Sequence, residues 1–187
     1  ELFRESFRAF AESELKPHVA EWERAGIMDR SVYVEAGKHG FLGMAIPEAY
    51  GGGGVDDFRF NAILNEEIAR AGIGGGGQGM LLHNDIVTPY FVEYCTAEQR
   101  ERWLPGIASG DLITAVAMTE PGTGSDLRSI ATAAVCDGDD WILNGAKTFI
   151  TNGINSDLVI VACKTGDRPA GAGEMSLLVV ERGMDGF

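Results

Sequence analysis

The chain changes texture at about Leu112, and that change limits the folds open to it more than any other feature. Before it, apolar residues recur at helical spacing, with Phe3, Phe7, Phe10, Ala11 and Leu15 on one face and Arg4, Glu5, Arg8, Glu12 and Glu14 on the other. After it come short β-branched or apolar runs: L-I-T-A-V-A-M-T, S-I-A-T-A-A-V-C, D-W-I-L-N-G, K-T-F-I-T, D-L-V-I-V-A-C-K and M-S-L-L-V-V-E. Gly, Asp, Asn and Pro separate them, and six short strands at such spacing make a small antiparallel barrel or sandwich. The expected class is therefore α+β, with an all-α helical domain over residues 1–112 followed by a β domain over residues 113–187.

In the helical part, Pro17 is expected to kink the first helix and Gly26 to stop it. Asp29 or Ser31 caps a second helix through Val32, Val34 and Ala36, and Asp56 or Asp57 caps a third that carries Phe60, Ile63, Leu64, Ile68 and Ala71. Between them, F-L-G-M-A-I-P-E-A-Y-G-G-G-G reads as a packed loop. The run I-G-G-G-G-Q-G at 73–79 is either a short loop or a distorted helix start. It has neither a strand before it nor an acidic residue about twenty positions on, so a Rossmann dinucleotide fingerprint is excluded. A buried helix is expected over 80–94, despite the internal Pro89. Thr96 and Gln99 have capping-box spacing, which predicts a short helix over 97–103 that ends before Pro105. In the β part, Asp137-Gly138-Asp139 is the candidate hairpin turn.

Composition narrows the function. The 187 residues, 45% of them hydrophobic, can bury a core for one large domain or two small ones. A formal net charge of −13 with no cluster of Lys or Arg argues against nucleic acid, so an anionic ligand has to be held by amides and hydroxyls. No apolar run reaches the length of a membrane span and the start does not resemble a signal peptide, so a soluble chain is expected. Cys95, Cys136 and Cys163 are widely spaced, which fits a reducing compartment rather than a disulfide framework. With His18, His39 and His83 equally scattered, no metal site is expected. Both ends, at Glu1 and Phe187, look cut.

Two polar turns in the β part carry the functional signal. The first, M-T-E-P-G-T-G-S-D-L-R-S-I at 118–130, holds Pro121, Gly122 and Gly124, so its amides are free to face a ligand, and Thr119, Thr123 and Ser125 add hydroxyls. The second, T-F-I-T-N-G at 148–153, lies one hairpin later, and Phe149, Ile150 and Thr151 are expected in the fourth strand. Backbone donors for a polar edge, Phe149 or Ile150 for an apolar face and glycines for close approach suit a flat aromatic ligand carrying phosphates, a flavin or a nucleotide. Other candidates read as structural. Adjacent Glu66 and Glu67 project about 100° apart on a helix and cannot converge on one atom. His83 reads as a core or cleft histidine, and Glu120, next to Pro121, as part of the turn.

The segment A-M-T-E-P-G-T-G-S-D-L-R-S-I resembles the signature of the acyl-CoA dehydrogenases, and W-I-L-N-G-A-K-T-F-I-T-N-G resembles that family's flavin-facing segment. I-P-E-A-Y-G-G-G-G, N-E-E-I-A-R-A-G and A-E-Q-R-E-R-W-L-P-G-I-A-S-G-D are similar to the family's helical amino-terminal domain, in its usual order. H-N-D-I-V-T-P-Y and D-W-I-L-N-G-A-K look most like its long-chain branch. The resemblance implies a helical domain, a middle β domain and a carboxy-terminal helical bundle, of which these residues supply the first and most of the second. It implies that FAD is contacted by Val116, Ala117, Met118, Thr119, Gly124 and Ser125 and by Phe149, Ile150 and Thr151, with Ser125 also touching the acyl-CoA. The family often has an aromatic residue where this chain has Val116 and a tryptophan where it has Phe149. The implied reaction is α,β-dehydrogenation of an acyl-CoA thioester to the trans-2-enoyl-CoA. No catalytic residue is expected among these residues, because the family's basic glutamate belongs to the carboxy-terminal bundle. Acyl-CoA oxidases and flavin monooxygenases on the same scaffold, or a non-catalytic flavin- or acyl-CoA-binding relative, are the alternatives. An electron-transfer flavoprotein as acceptor, a homo-oligomer, and a bacterial cytoplasmic or mitochondrial matrix location are also implied.

Overall fold

The computed structural model describes residues 1–165 and 174–187, which divide into two compact units, Glu1–Thr114 and Ala115–Phe187. In the first, α1 (Leu2–Phe10) runs through a π-helical turn (Ala11–Leu15) and a 3₁₀ turn (Lys16–His18) into α2 (Val19–Ala25). Pro17 lies in the 3₁₀ turn, where the missing N–H makes the hydrogen-bond ladder change pitch, and Gly26 ends α2 in the left-handed conformation. Phe3, Phe7 and Phe10 pack around Phe41, with Phe7 edge-on to Phe41 at 5.0 Å between ring centroids.

The remaining helices are α3 (Ser31–Lys38), α4 (Arg59–Ala71), α5 (Gly74–Leu81), α6 (Thr88–Tyr94) and α7 (Ala97–Ser109). The N-caps of α3 and α4 are Arg30 and Phe58, not the expected Asp29 or Ser31 and Asp56 or Asp57; Asp29 accepts the Ser31 N–H at 2.8 Å and Asp57 the Arg59 N–H at 3.0 Å, turns that lead into the two helices. The glycine-rich run 74–79 is helical. A Cβ at Gly76 would lie 3.1 Å from the Trp22 ring and one at Gly77 2.6 Å from Ile68, so the glycines admit α2 and α4 at close range. Helix α7 has the Thr96–Gln99 capping box but does not stop before Pro105; it continues to Ser109. Its buried stripe of Trp103, Leu104, Ile107 and Ala108 outweighs the one ladder bond that Pro105 removes, whose orphaned carbonyl belongs to exposed Glu101. Helices α3 and α7 meet backbone to backbone, since a Cβ on Gly37 would sit 2.1 Å from the Ser109 carbonyl oxygen.

Two polar clusters organise this unit. Glu67, 1% exposed, is gripped by Arg8 at 2.8 Å, Arg4 at 2.9 Å and Arg70 at 2.7 Å. The Arg8 hydrogen bond foremost, with Arg70 and Arg4, overcomes burial and holds its carboxyl well below the ordinary range. Exposed Glu66 accepts from the other terminal nitrogen of Arg4, so the two glutamates share one guanidinium without converging on one atom. The second cluster lies on the π-helical segment Leu82–Val87. There His83 Nε2 donates to the Ile107 carbonyl at 3.0 Å and Nδ1 accepts from the Thr114 N–H at 3.2 Å. Asn84 bridges the Phe41 carbonyl and the Gly43 N–H, and Asp85 accepts from Asn61 and Asn65. His83 is thus a satisfied core histidine.

The second unit is a five-stranded mixed sheet of β1 (Thr114–Ala117), β2 (Ala133–Asp137), β3 (Asp140–Asn144), β4 (Leu158–Thr165) and β5 (Glu174–Glu181). Its long strand β4 pairs antiparallel with β5, from Leu158↔Glu181 to Thr165↔Glu174, and also pairs with β1 and β2. The β2–β3 hairpin turns at Gly138. The α+β class stands, but the pairing is not wholly antiparallel: β2 meets β4 in parallel over Ala133↔Lys164 and Ala134↔Thr165, and among the described residues the sheet is not closed into a barrel. The run K-T-F-I-T is not a strand either. Phe149 has φ of +56° and Asn152 of +65°, and these left-handed residues turn the chain out of the ladder.

Burial lowers the His83 pKa to about 4 against its Ile107 hydrogen bond, from an ordinary value of 6.5. Between those values the unfolded chain binds a proton that the folded chain excludes, so stability falls as pH drops through the window. Denaturant unfolding should show a loss of about 2 kcal/mol between pH 7 and pH 5 that His83→Gln removes.

Candidate functional site

At the end of β1 the backbone enters the loop 118–130. The Glu120 N–H donates to the Thr123 carbonyl at 2.9 Å and the Thr123 N–H to the Glu120 carbonyl at 3.0 Å, closing a tight turn over Pro121 and Gly122. A 3₁₀ turn (Leu127–Ser129) follows, in which Ser129 Oγ donates to the Asp126 carboxylate and Thr123 Oγ1 to the Ser129 carbonyl. The Glu120 carboxylate then ties the far end of the loop, accepting the Ala131 N–H at 2.6 Å and the Thr132 N–H at 2.9 Å.

The second segment reaches the same place through Lys147. Its Nζ donates to the Met118 carbonyl at 3.0 Å and to Glu120 Oε1 at 2.9 Å, and the Thr148 N–H donates to the Thr119 carbonyl at 3.0 Å. The Lys147 and Glu120 side chains are only 10% and 6% exposed. Burial alone would raise the Glu120 carboxyl, but the hydrogen bonds from Ala131, Thr132 and Lys147 outweigh it and hold the pKa at about 2. Glu120 is therefore a fixed anion with its oxygens already engaged, which suits a structural role and not that of a base at neutral pH.

Beyond Lys147 the chain makes a compact turn. Gly153 N–H donates to the Ile150 carbonyl at 2.9 Å and Ser156 N–H to the Asn152 carbonyl at 2.7 Å, while Arg182 Nη2 donates to the Ile154 and Ser156 carbonyls. Ile150 is partly buried and packs against the cluster of Ala115, Ala117, Val159 and Val161. Phe149, in contrast, is 92% exposed in a left-handed backbone. A bulky residue held in that conformation with its ring exposed carries backbone strain that no packing within this unit repays.

The structure thus ties Thr119 to Thr148, ties Met118 to Lys147 and packs Ile150 against the cluster that holds Ala117; Val116 flanks these residues in the first segment, and Phe149 and Thr151 flank Ile150 in the second. The Ala117 side chain is buried in the sheet, so this residue has only its backbone to present. Gly124 and Ser125 lie on the exposed side of the loop, and a Cβ at Gly122 or Gly124 would meet nothing within 4 Å. Packing does not require glycine there, and the space beside the loop is open. The hydroxyls of Thr119, Ser125 and Thr151 are not engaged by other described residues. Lys147 was not singled out from the sequence, although it is the sole Lys or Arg between Arg128 and Lys164. A single cation in the otherwise uncharged stretch 141–156, next to the second polar turn, is the signal that could have found it.

Comparison with known proteins bears on both units. Residues 1–111 match the model of the acyl-CoA dehydrogenase N-terminal domain, and residues 115–187 that of the acyl-CoA dehydrogenase middle domain. The mitochondrial long-chain specific acyl-CoA dehydrogenase of Mus musculus is 48% identical over 188 residues, an alignment spanning all of this chain and 43% of that protein. An acyl-CoA dehydrogenase structure from Geobacillus kaustophilus superposes with a TM-score of 0.92 at 50% identity, covering 99% of this chain and 48% of that one. An acyl-CoA dehydrogenase from Bacillus anthracis, solved with FAD, superposes with a TM-score of 0.83 at 31% identity over 97% of this chain and 31% of that one. The chain spans less than half the length of these relatives.

Relief of the strained backbone at an unpacked position should cost the fold nothing. In ligand-free protein Phe149→Gly is expected to leave stability unchanged or raise it by up to about 1 kcal/mol, read by thermal unfolding. A loss of about that size would show that the ring is packed.

Proposed function

The chain belongs to the acyl-CoA dehydrogenase family, and on that premise we propose that it is the front part of a flavin-dependent dehydrogenase that converts an acyl-CoA thioester to the trans-2-enoyl-CoA. FAD is the cofactor of this family, and the residues present suit it. The observation that carries the reading is the Thr148 to Thr119 hydrogen bond, which lays the two polar segments side by side. With Ile150 packed against the cluster that holds Ala117 and the Phe149 ring exposed, the pair of segments would offer polar groups and an apolar face to one flat ring system.

In this reading Val116, Ala117, Met118 and Thr119 hold one edge of the flavin and Phe149, Ile150 and Thr151 the other, while Gly124 and Ser125 hold its polar groups. Ser125 also reaches the thioester. When bound, FAD would supply the hydride acceptor for the substrate β carbon. The proton from the α carbon goes to a carboxylate that is not Glu120, because Glu120 is ionised down to about pH 2 and its oxygens already accept from Ala131, Thr132 and Lys147. With Val116 and Phe149 in place of larger aromatics, stacking on the flavin is lighter than the family pattern implies. An electron-transfer flavoprotein is the proposed electron acceptor, and the intact protein is proposed to be a homo-oligomer.

The full-length protein should purify yellow, with close to one flavin per chain, and its flavin absorbance should bleach anaerobically on addition of a saturated acyl-CoA. Reoxidation by an electron-transfer flavoprotein marks a dehydrogenase, and rapid reoxidation by oxygen marks an oxidase. Bound flavin that no acyl-CoA bleaches would make the protein a non-catalytic relative, and absence of flavin would overturn the cofactor assignment.

A further inference from the structure

The Glu120–Lys147 pair has a feature that a simple fold contact does not need. Lys147 belongs to the second polar segment, yet its Nζ donates to the first: to the Met118 carbonyl at 3.0 Å and to Glu120 Oε1 at 2.9 Å. Glu120 in turn fixes the start and the end of its own loop, through Thr123 and through the Ala131 and Thr132 N–H groups. The pair is buried, while the residues it supports are open: Pro121, Gly122, Gly124 and Ser125 are exposed and Phe149 is 92% exposed. Burying two charges costs solvation that their attraction only partly repays, so such a pair serves geometry more than stability.

We propose that Glu120 and Lys147 are positioning residues that set the spacing between the two cofactor-facing segments, so that flavin affinity depends on the pair although neither residue touches the flavin. The proposal rests on the flavin reading above. Lys147 fixes the Met118 carbonyl, while the backbone of its neighbour Thr148 holds Thr119; removing the cation frees the Met118 carbonyl and leaves the Glu120 anion buried without its partner. The two segments then keep only the Thr148 to Thr119 bond and the packing of Ile150 to hold them in register.

The test compares full-length parent protein with Glu120→Gln, Lys147→Met and the double variant, each deflavinated and titrated with FAD by fluorescence, with flavin absorption spectra and melting curves recorded in parallel. Both single variants are expected to bind FAD roughly tenfold more weakly and to show altered flavin bands while still folded, the scale on which members of one hydrogen-bond network couple. The double variant leaves no unpaired buried charge. It should be no weaker than the weaker single variant, and it carries the test alone if a single variant does not fold. Folded variants that bind FAD within about twofold of the parent, with the parent's spectrum, would overturn the proposal even if their melting temperatures fell. A parent that binds no FAD would instead overturn the flavin reading on which the proposal stands.

Discussion

The second unit depends on one buried anion. The Glu120 carboxylate takes hydrogen bonds from two backbone amides on one side and a lysine on the other, and so joins the end of β1, the far end of a thirteen-residue loop and the start of the second polar turn. A carboxylate in such a place is either fully satisfied or costly, and here the donors are sufficient to keep it ionised. The first unit uses the same solution with Glu67, which Arg4 and Arg8 of α1 bind from across the helix pair while Arg70 binds it within α4. The Glu67 cluster only holds helices together. The Glu120 cluster also leaves a row of open glycines, hydroxyls and one unpacked ring around it, which is where the chemistry is assigned.

Much of the fold is legible in the residues because local and global preferences agree. The helical part followed by a sheet, the Thr96–Gln99 capping box and the turn at Gly138 all follow from periodicity or from a side chain's hydrogen-bonding reach. Where prediction fails, tertiary packing has overridden local preference. The run 74–79 is helical with glycine at 76 and 77, where Trp22 and Ile68 leave no room for a side chain, and α7 passes through Pro105 because its buried stripe continues. K-T-F-I-T has strand composition yet turns, because Phe149 and Asn152 take positive φ. That conflict between a β-favouring sequence and a strained turn falls at the proposed cofactor face, where functional constraint is expected to outweigh local propensity.

The site is legible only in part. Its polar loops stand out through glycine and hydroxyl content, but their adjacency cannot be read from spacing, since it depends on how β1 and the turn after β3 meet over Ala115 and Ala117. Lys147 was invisible as a functional residue because a lone lysine in a sequence is normally a solvated surface charge, and only burial against Met118 and Glu120 gives it a role. Glu120 could be judged structural beforehand, and the structure supplies the physical reason in its satisfied, strongly acidic carboxyl.

The central claim is that residues 116–125 and 149–151 form a single flavin-holding surface. Amide hydrogen exchange of the full-length protein, measured with and without FAD, tests it most directly. The account predicts that FAD slows exchange in both segments together and over the same concentration range. Protection confined to one of them, or appearing only elsewhere in the chain, would contradict it.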